Sequence, residues 1–368
     1  MPVTVRDLRC LAISQSLFTP TTLRRALHRM QFVQADPIRS PARAQDLILR
    51  HRVRDYRAGD LERHYPKVGV EEDFFINYGF VTRELQQLMH PRSEGGVSAD
   101  ICLPWSTVAL RKKAQGILEF VRERGVVHPQ EVEKHFSHGK ATNYWGGQSN
   151  TTTHLLDGMH YRGLVRVVRR ESGIRLYAAR EHAGPAVDEA ERVRRLDALA
   201  DVAVGIYAPM SYRSLRFVVR RLKYAVPQWE QEIGNVIQRA RTRLRCEMVD
   251  GVEWYWPRRW KLTGEPENSV RLLAPFDPVV WDRWRFEILW GWTYRFEAYT
   301  PAAKRVRGYY AMPMLWRDQL IGWGNLSVKN GSLQANFGYV ASEPGERDFK
   351  RNLEEELERL RGFLGIQE

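Results

Sequence analysis

An order of elements that recurs along the chain limits the fold more than any other feature. Val5, Leu8, Leu11 and Ala12 share one face at helical spacing, and so do Leu23, Ala26, Leu27 and Met30. Thr21 or Thr22 can cap the second of these helices, and a third is expected to begin near Ser40-Pro41 and to carry Leu47, Ile48 and several arginines. Three short helices, the last of them basic, outline a helix-turn-helix unit. The outline returns in Leu110, Ala114, Ile117, Leu118 and Val121, then "HPQEVEKHF", then "NTTTHLLDGMHYRG", and closes with "LVRVVRRESGIRLYAA", two strands joined at Ser172-Gly173. It returns again in "ERVRRLDALADVAVGIY", "SYRSLRFVVRRLKYAV" and "QWEQEIGNVIQRARTRL", followed by the hairpin "RCEMVDGVEWYWP" with an Asp250-Gly251 turn. Three helices and a hairpin are the order of a winged helix.

After about residue 268 the texture changes to short runs rich in Trp and Tyr. "YRFEAYTPAAKRVRGYYAMPML", "DQLIGWGNLSV" and "SLQANFGYV" suggest a meander or small barrel. "GERDFKRNLEEELERLRGFLG", with Leu353, Leu357 and Leu360 on one face, suits a closing helix. The expected fold class is therefore α+β, three tandem winged-helix units followed by a small C-terminal β-barrel and a closing helix. The expected boundaries are 1–100, 101–183, 184–267 and 268–368, and a chain of 368 residues is long enough for several small domains.

Charge narrows the partners. The chain carries 57 Lys and Arg against 44 Asp and Glu, a net charge of +13. Such an excess points to a polyanion, nucleic acid before an anionic membrane. Cys10, Cys102 and Cys246 lie far apart with no CxxC, and the histidines show no metal-ligand spacing, so neither a disulfide framework nor a metal site is expected. No organic cofactor is expected either, and no phosphate-cradling glycine loop is present. With no signal-like core and no run apolar enough to span a bilayer, a cytoplasmic, nucleoid-associated protein is expected. A monomer is the default for this architecture.

The stretch "FVQADPIRSPARAQDLILRHR", residues 32–52, holds the strongest chemical signal. In an extended segment residues i and i+2 point the same way, which puts Gln34 and Asp36 on one face with Val33 and Ala35 behind. Read by itself, an Asp before Pro is most simply a turn or cap residue. The longer runs "VQADPIRSPARAQDLILRHRVRDY", "YWGGQSNTTTHLLDGMHYRGLVRVVRR" and "LLAPFDPVVWDRWRFEILWGWTYRFEAYTPAAKRVRGYYAMPML" change that reading. Together they resemble, over nearly the whole length and in order, the winged-helix DNA glycosylases of the AlkZ/YcaQ type. The run from Pro275 to Tyr310 is the most specific part. The resemblance implies three winged helices and a small β-barrel. It also implies hydrolysis of the N-glycosidic bond of alkylated purines, chiefly N7-alkylguanine, in some members with unhooking of interstrand crosslinks. The family's catalytic pair is Gln-x-Gln or Gln-x-Asp, and Gln34-Ala35-Asp36 matches the YcaQ-like form. The chain departs from the pattern in "INYGFVT", where Phe80 stands near a histidine position, and at Gly322-Trp323-Gly324-Asn325, where relatives tend to carry Gly-Arg-x-Asp.

On that resemblance the chain is expected to be a monofunctional DNA glycosylase acting on alkylated double-stranded DNA. An N7-alkylated guanine is cationic and leaves without a general acid, while the sugar gains oxocarbenium character. Asp36 would stabilise that charge and accept a proton from water, and the Gln34 amide would hold the water. Arg39 and Arg43, four apart on the expected helix, are candidate phosphate contacts, and Lys304, Arg305 and Arg307 are expected at a hairpin tip that enters DNA. The bland reading of both groups is a solvated basic face. Trp145, Trp281, Trp284, Trp290 and Trp292 could stack on bases, but aromatics at such density are more often core. The competing reading of the whole chain is a non-catalytic winged-helix DNA-binding protein or transcriptional regulator, which would have no need of Gln34-x-Asp36.

Overall fold

The computed structural model describes residues 2–92, 108–137, 139–142, 148–180, 188–262 and 264–366, so Trp145 and Cys102 lie outside the described residues. The chain is α+β and forms two compact units that do not follow chain order. The first comprises residues 1–61, 200–219 and 237–368, the second 62–199 and 220–236. No described helix is long and apolar enough to cross a membrane.

In the first unit the helix Val5–Ser16 starts with a reciprocal cap. Thr4 accepts from the Asp7 N–H while Asp7 accepts from the Thr4 N–H. Leu8, Leu11 and Ala12 are buried, as their spacing requires. Thr22 caps the helix Leu23–Met30, and the short strand Phe32–Gln34 follows, buried throughout.

The next helix differs from expectation. It spans only Ala44–Leu49, with Arg43 as an extended N-cap residue. The turn before it contains a cis Ser40-Pro41 bond and an isolated antiparallel bridge between Arg39 and Arg43. The reason lies in the two prolines. Asp36 and Ser40 each precede a proline, whose ring disfavours helical backbone at the preceding residue. Arg39 and Arg43 thus flank a tight turn and do not share a helix face.

The hairpin Leu244–Val249/Val252–Pro257 turns at Asp250 (φ 47°) and Gly251 (φ 76°), the positive-φ pair that a tight hairpin demands. Four antiparallel strands, Val270–Leu272, Met312–Trp316, Gln319–Lys329 and Ser332–Tyr339, pair in chain order as a curled sheet, half of the barrel expected. The helix Arg347–Leu364 closes the chain and buries Phe349, Leu353, Leu360 and Phe363. The segment "YRFEAYTPAAKRVRGYYAMPML", read as strands, is mostly irregular. Only Met312–Trp316 is extended in a sheet, and residues 291–311 form a long loop with one 3-10 turn at Ala302–Lys304. Pro301 and the loop's use of its N–H groups, described below, remove it from any ladder.

Arg50 and Arg52 were grouped with a basic helix by sequence, yet both are buried. Arg52 uses all five guanidinium N–H groups. Nη1 donates to Asp277 Oδ2 (2.7 Å) and Ile48 O (2.7 Å), Nη2 to Asp277 Oδ1 (3.0 Å) and Ser16 Oγ (2.9 Å), and Nε to Ser16 O (2.9 Å).

In the second unit helices Val108–Arg124, Pro129–Phe136 and Thr151–Arg162 precede the hairpin Val165–Glu171/Ile174–Ala179, with a Ser172-Gly173 turn at φ 48° and 84°. Another hairpin, Val70–Phe74/Tyr78–Thr82, buries Glu71, Glu72 and Asp73 in a row. Each finds a cation. Glu71 meets Arg166 and Arg180, Glu72 meets Arg170, and Asp73 meets Arg92. Phe80 is fully buried edge-on to Tyr65, 5.7 Å between centroids. Along the chain the helices Glu189–Tyr207, Tyr212–Arg220 and Ile233–Arg243 precede the Asp250-Gly251 hairpin, with 3-10 turns at Arg221–Tyr224 and Pro227–Glu232 where longer helices were expected.

Replacing Asp277 with Asn keeps the shape but leaves the Arg52 charge buried without its counter-ion. Denaturant unfolding of Asp277→Asn is expected to show a loss of about 3–5 kcal/mol, the usual cost of breaking a buried pair from one side.

Candidate active site

The candidate site lies within the first unit. Gln34, at the end of the strand Phe32–Gln34, is 7% exposed. Its Oε1 accepts from Trp281 Nε1–H at 2.9 Å. An indole nitrogen only donates, so the amide must turn its oxygen toward Trp281, which fixes its orientation. Trp281 is itself seated between Tyr207 (centroids 4.6 Å apart) and Phe217 (5.6 Å). The turn that carries Trp281 is tied down by Arg285, which donates to the carbonyls of Pro278, Val279 and Tyr207, and by Asp277 Oδ1, which accepts from the Val279 N–H at 3.0 Å.

Two residues beyond Gln34, Asp36 is half-buried. Its Oδ1 accepts from the Ile38 N–H at 2.9 Å, the i to i+2 turn that its position before Pro37 suggests. That turn engages one carboxylate oxygen, and Oδ2 makes no hydrogen bond among the described residues. Burial raises the Asp36 pKa, and the Ile38 N–H only partly offsets it. No arginine contributes to the shift, so the carboxylate keeps its basicity despite the cations nearby in sequence.

Two tyrosines lie close enough to Asp36 to feel its charge. Burial first, and then the negative charge of Asp36, raise the hydroxyl pKa values of Tyr299 and Tyr310. Tyr310 is buried and its hydroxyl has no hydrogen-bond partner among the described residues, whereas Tyr299 is 73% exposed. Phe296 joins the two, edge-on to Tyr299 at 6.0 Å, to Tyr310 at 5.4 Å and to Phe276 at 5.0 Å.

The long loop that displays Tyr299 is closed by a single carboxylate. Glu297 Oε2 accepts from the N–H groups of Val306 (3.0 Å), Arg307 (2.8 Å) and Gly308 (3.2 Å). Burial would raise the Glu297 pKa, but these three donors outweigh it and the group stays ionised. Gly308 has φ 129°, and a Cβ there would lie 2.2 Å from Asn325 Oδ1, so only glycine fits. Asn325 Nδ2 in turn donates to the Arg307 carbonyl at 2.7 Å.

The cations expected at the site are placed unequally. Arg39 is exposed and Arg43 half-buried at the start of the Ala44–Leu49 helix. Lys304 is exposed in the loop. Arg305 donates to Thr300 O at 2.8 Å and lies over Tyr309. Arg307 sits half-buried between Trp292 (5.2 Å) and Trp323 (5.3 Å). Trp323 and Asn325, the departures from the family pattern, thus brace this loop. Among the described residues no group of three or more His, Cys, Asp or Glu is arranged to hold a metal ion. Sequence reasoning set Trp281 aside as core and did not single out Tyr299, Tyr310 or Glu297. All four lie in the specific run beginning at Pro275, the only signal that could have found them.

The model of the family described as DNA glycosylase AlkZ-like matches residues 27–363. The chain belongs to the AlkZ-like DNA glycosylase family. The solved structure of Streptomyces sahachiroi DNA glycosylase AlkZ shares its fold, with a TM-score of 0.67 and 12% identity over 100% of this chain and 98% of that one. The family match includes Gln34, Asp36, Trp281 and the Glu297 loop.

The indole N–H of Trp281 donates the hydrogen bond that orients Gln34. Trp281→Phe keeps an aromatic ring against Tyr207 and Phe217 but removes the donor. Single-turnover base release from alkylated DNA is expected to slow about fivefold to tenfold, the scale of one orienting hydrogen bond, with DNA affinity unchanged.

Proposed function

We propose that this glycosylase hydrolyses the N-glycosidic bond of N7-alkylated purines, N7-alkylguanine above all, in duplex DNA. Gln34 and Asp36 are the catalytic pair. The observation that carries the reading is the state of Asp36: a half-buried carboxylate with one oxygen in a turn, the other without a hydrogen bond, and no cation lowering its basicity. A residue serving only as a turn would not need burial that raises its pKa.

Alkylation at N7 makes the base a cation and a good leaving group, so no general acid is required. As the bond to the base lengthens, positive charge develops on the sugar. Asp36 offers a negative charge to that oxocarbenium and takes a proton from the water that attacks it. The Gln34 amide, oriented by Trp281, holds the water. Neither side chain can form an imine with the sugar, so the product is an abasic site in an unbroken strand, the outcome of a monofunctional enzyme. Each half of an N7-linked interstrand crosslink contains the same bond, which brings such crosslinks within the same chemistry.

The arrangement of domains belongs to the proposal as well. Three winged-helix units over residues 1–100, 101–183 and 184–267 precede the β module of 268–368, and the net charge of +13 supplies sequence-independent attraction to the phosphate backbone. Lys304 is the direct phosphate contact of the Glu297 loop, Arg305 and Arg307 hold its shape against aromatic faces, and Arg39 and Arg43 contact phosphates from the turn after Asp36.

Asp36→Asn preserves shape and caps a turn about as well as Asp. On duplex DNA containing N7-methylguanine, single-turnover base release is expected to slow by roughly a hundredfold or more in Asp36→Asn, and by less in Gln34→Ala, with DNA binding retained. Asp36→Asn with full activity would leave the carboxylate a turn residue and return the chain to the reading of a binding protein.

A further inference from the structure

A cavity of the first unit, about 630 Å³, shares no lining residue with the Gln34–Asp36 site. Five arginines line it: Arg50, Arg54, Arg57, Arg271 and Arg359. Opposing them in the lining are only Asp55 and Glu267. Three of the arginines have acidic partners. Arg50 and Arg359 share the buried Glu356, and Arg271 pairs with Glu267. Arg54 and Arg57 are exposed, and neither guanidinium has an ion pair or hydrogen bond among the described residues. Arg50 adds a buried donor. Its side chain is 4% exposed, Nη2 donates to Glu356 at 2.5 Å and to Leu272 O at 2.9 Å, and Nε is buried with no hydrogen-bond partner among the described residues.

His51, on the same wall, reports the local field. It is fully buried, donates through Nε2 to Leu272 O at 3.0 Å, and is kept neutral by burial and then by Arg50 and Arg271. One side of the cavity is aromatic, formed by Tyr56 and Phe363, which stack at 6.3 Å.

We propose that this cavity is a phosphate-binding site. The planar forks of Arg54 and Arg57 match the oxygens of one phosphate group better than a single carboxylate. The volume falls in the range of small-ligand pockets, about 300–1,000 Å³, and leaves room for a sugar or base against Phe363. The phosphate belongs either to the DNA backbone or to a free phosphorylated compound the size of a mononucleotide.

Calorimetric titration of the full chain with inorganic phosphate, and then with deoxyguanosine 5′-monophosphate, tests this directly. One saturable site with a dissociation constant of about a millimolar or tighter is expected. The double variant Arg54→Ala/Arg57→Ala, whose exposed side chains contribute little to stability, is expected to lose tenfold or more in that affinity with an unchanged melting temperature. Repeating the titration with unmodified duplex present separates the sources. If duplex displaces phosphate, and the double variant weakens duplex binding, the site takes a backbone phosphate. If duplex has no effect, it takes a free phosphorylated compound. Absence of saturation with both small ligands, or equal affinity in the double variant, overturns the proposal.

Discussion

The buried pair of Arg52 and Asp277 holds the first unit together around its site. The two residues lie 225 apart in sequence, and neither side chain is exposed. Removing both charges from water is expensive, and the cost is offset only because the geometry is complete. Every guanidinium N–H has an acceptor, and Asp277 also receives the Val279 N–H. The pair therefore joins the segment that follows the strand Phe32–Gln34 to the turn just before Trp281. Displacing either end would leave a charge buried without a partner, so the pairing admits essentially one register.

From that fixed point the site follows in short steps. Asp277 and Arg285 shape the turn, the turn presents Trp281, and Trp281 orients the Gln34 amide. Beyond Gln34, Pro37 ends the extended run and Asp36 closes a small turn on Ile38. One oxygen is committed to that turn and the other makes no hydrogen bond among the described residues. The Glu297 loop supplies the opposite side. Its three backbone hydrogen bonds to one carboxylate give an irregular segment a defined form without a β ladder, and the same loop presents exposed Tyr299 against Phe296.

Local chemistry was legible where it dictated the backbone by itself. Asp250-Gly251 and Ser172-Gly173 turn as their residue types require, and helices with a clear apolar stripe, such as Val5–Ser16, form where the spacing places them. Two of the misreadings share a cause, a partner distant in sequence. A run such as "YRFEAY" has the aromatic composition of a strand, but its loop gives its N–H groups to Glu297, a tertiary partner no local pattern reveals. Arg50 and Arg52 look like surface charge because charge is usually exposed. Their burial depends on Glu356 and Asp277, hundreds of residues away. The Ala44–Leu49 helix starts late because Pro37 and Pro41 act on the residues before them, a local rule outweighed in the reading by the pattern of a helix-turn-helix. At the site, Gln34 and Asp36 could be named from sequence, but the role of Trp281 could not. An indole that orients an amide looks the same in sequence as one that fills a core.

The account rests on Asp36 acting as an ionised carboxylate in a setting that raises its pKa. The direct measurement is the pH dependence of single-turnover base release from N7-methylguanine DNA. Because burial lifts the Asp36 pKa above the ordinary 3.8, the active anion is present at neutral pH and is lost by protonation as pH falls through that raised value. The account predicts a plateau near neutrality and a decline on the acid side governed by one ionisation above 3.8, with that limb absent from the residual rate of Asp36→Asn. A rate independent of pH across this range, or an acid limb unchanged in Asp36→Asn, would contradict it.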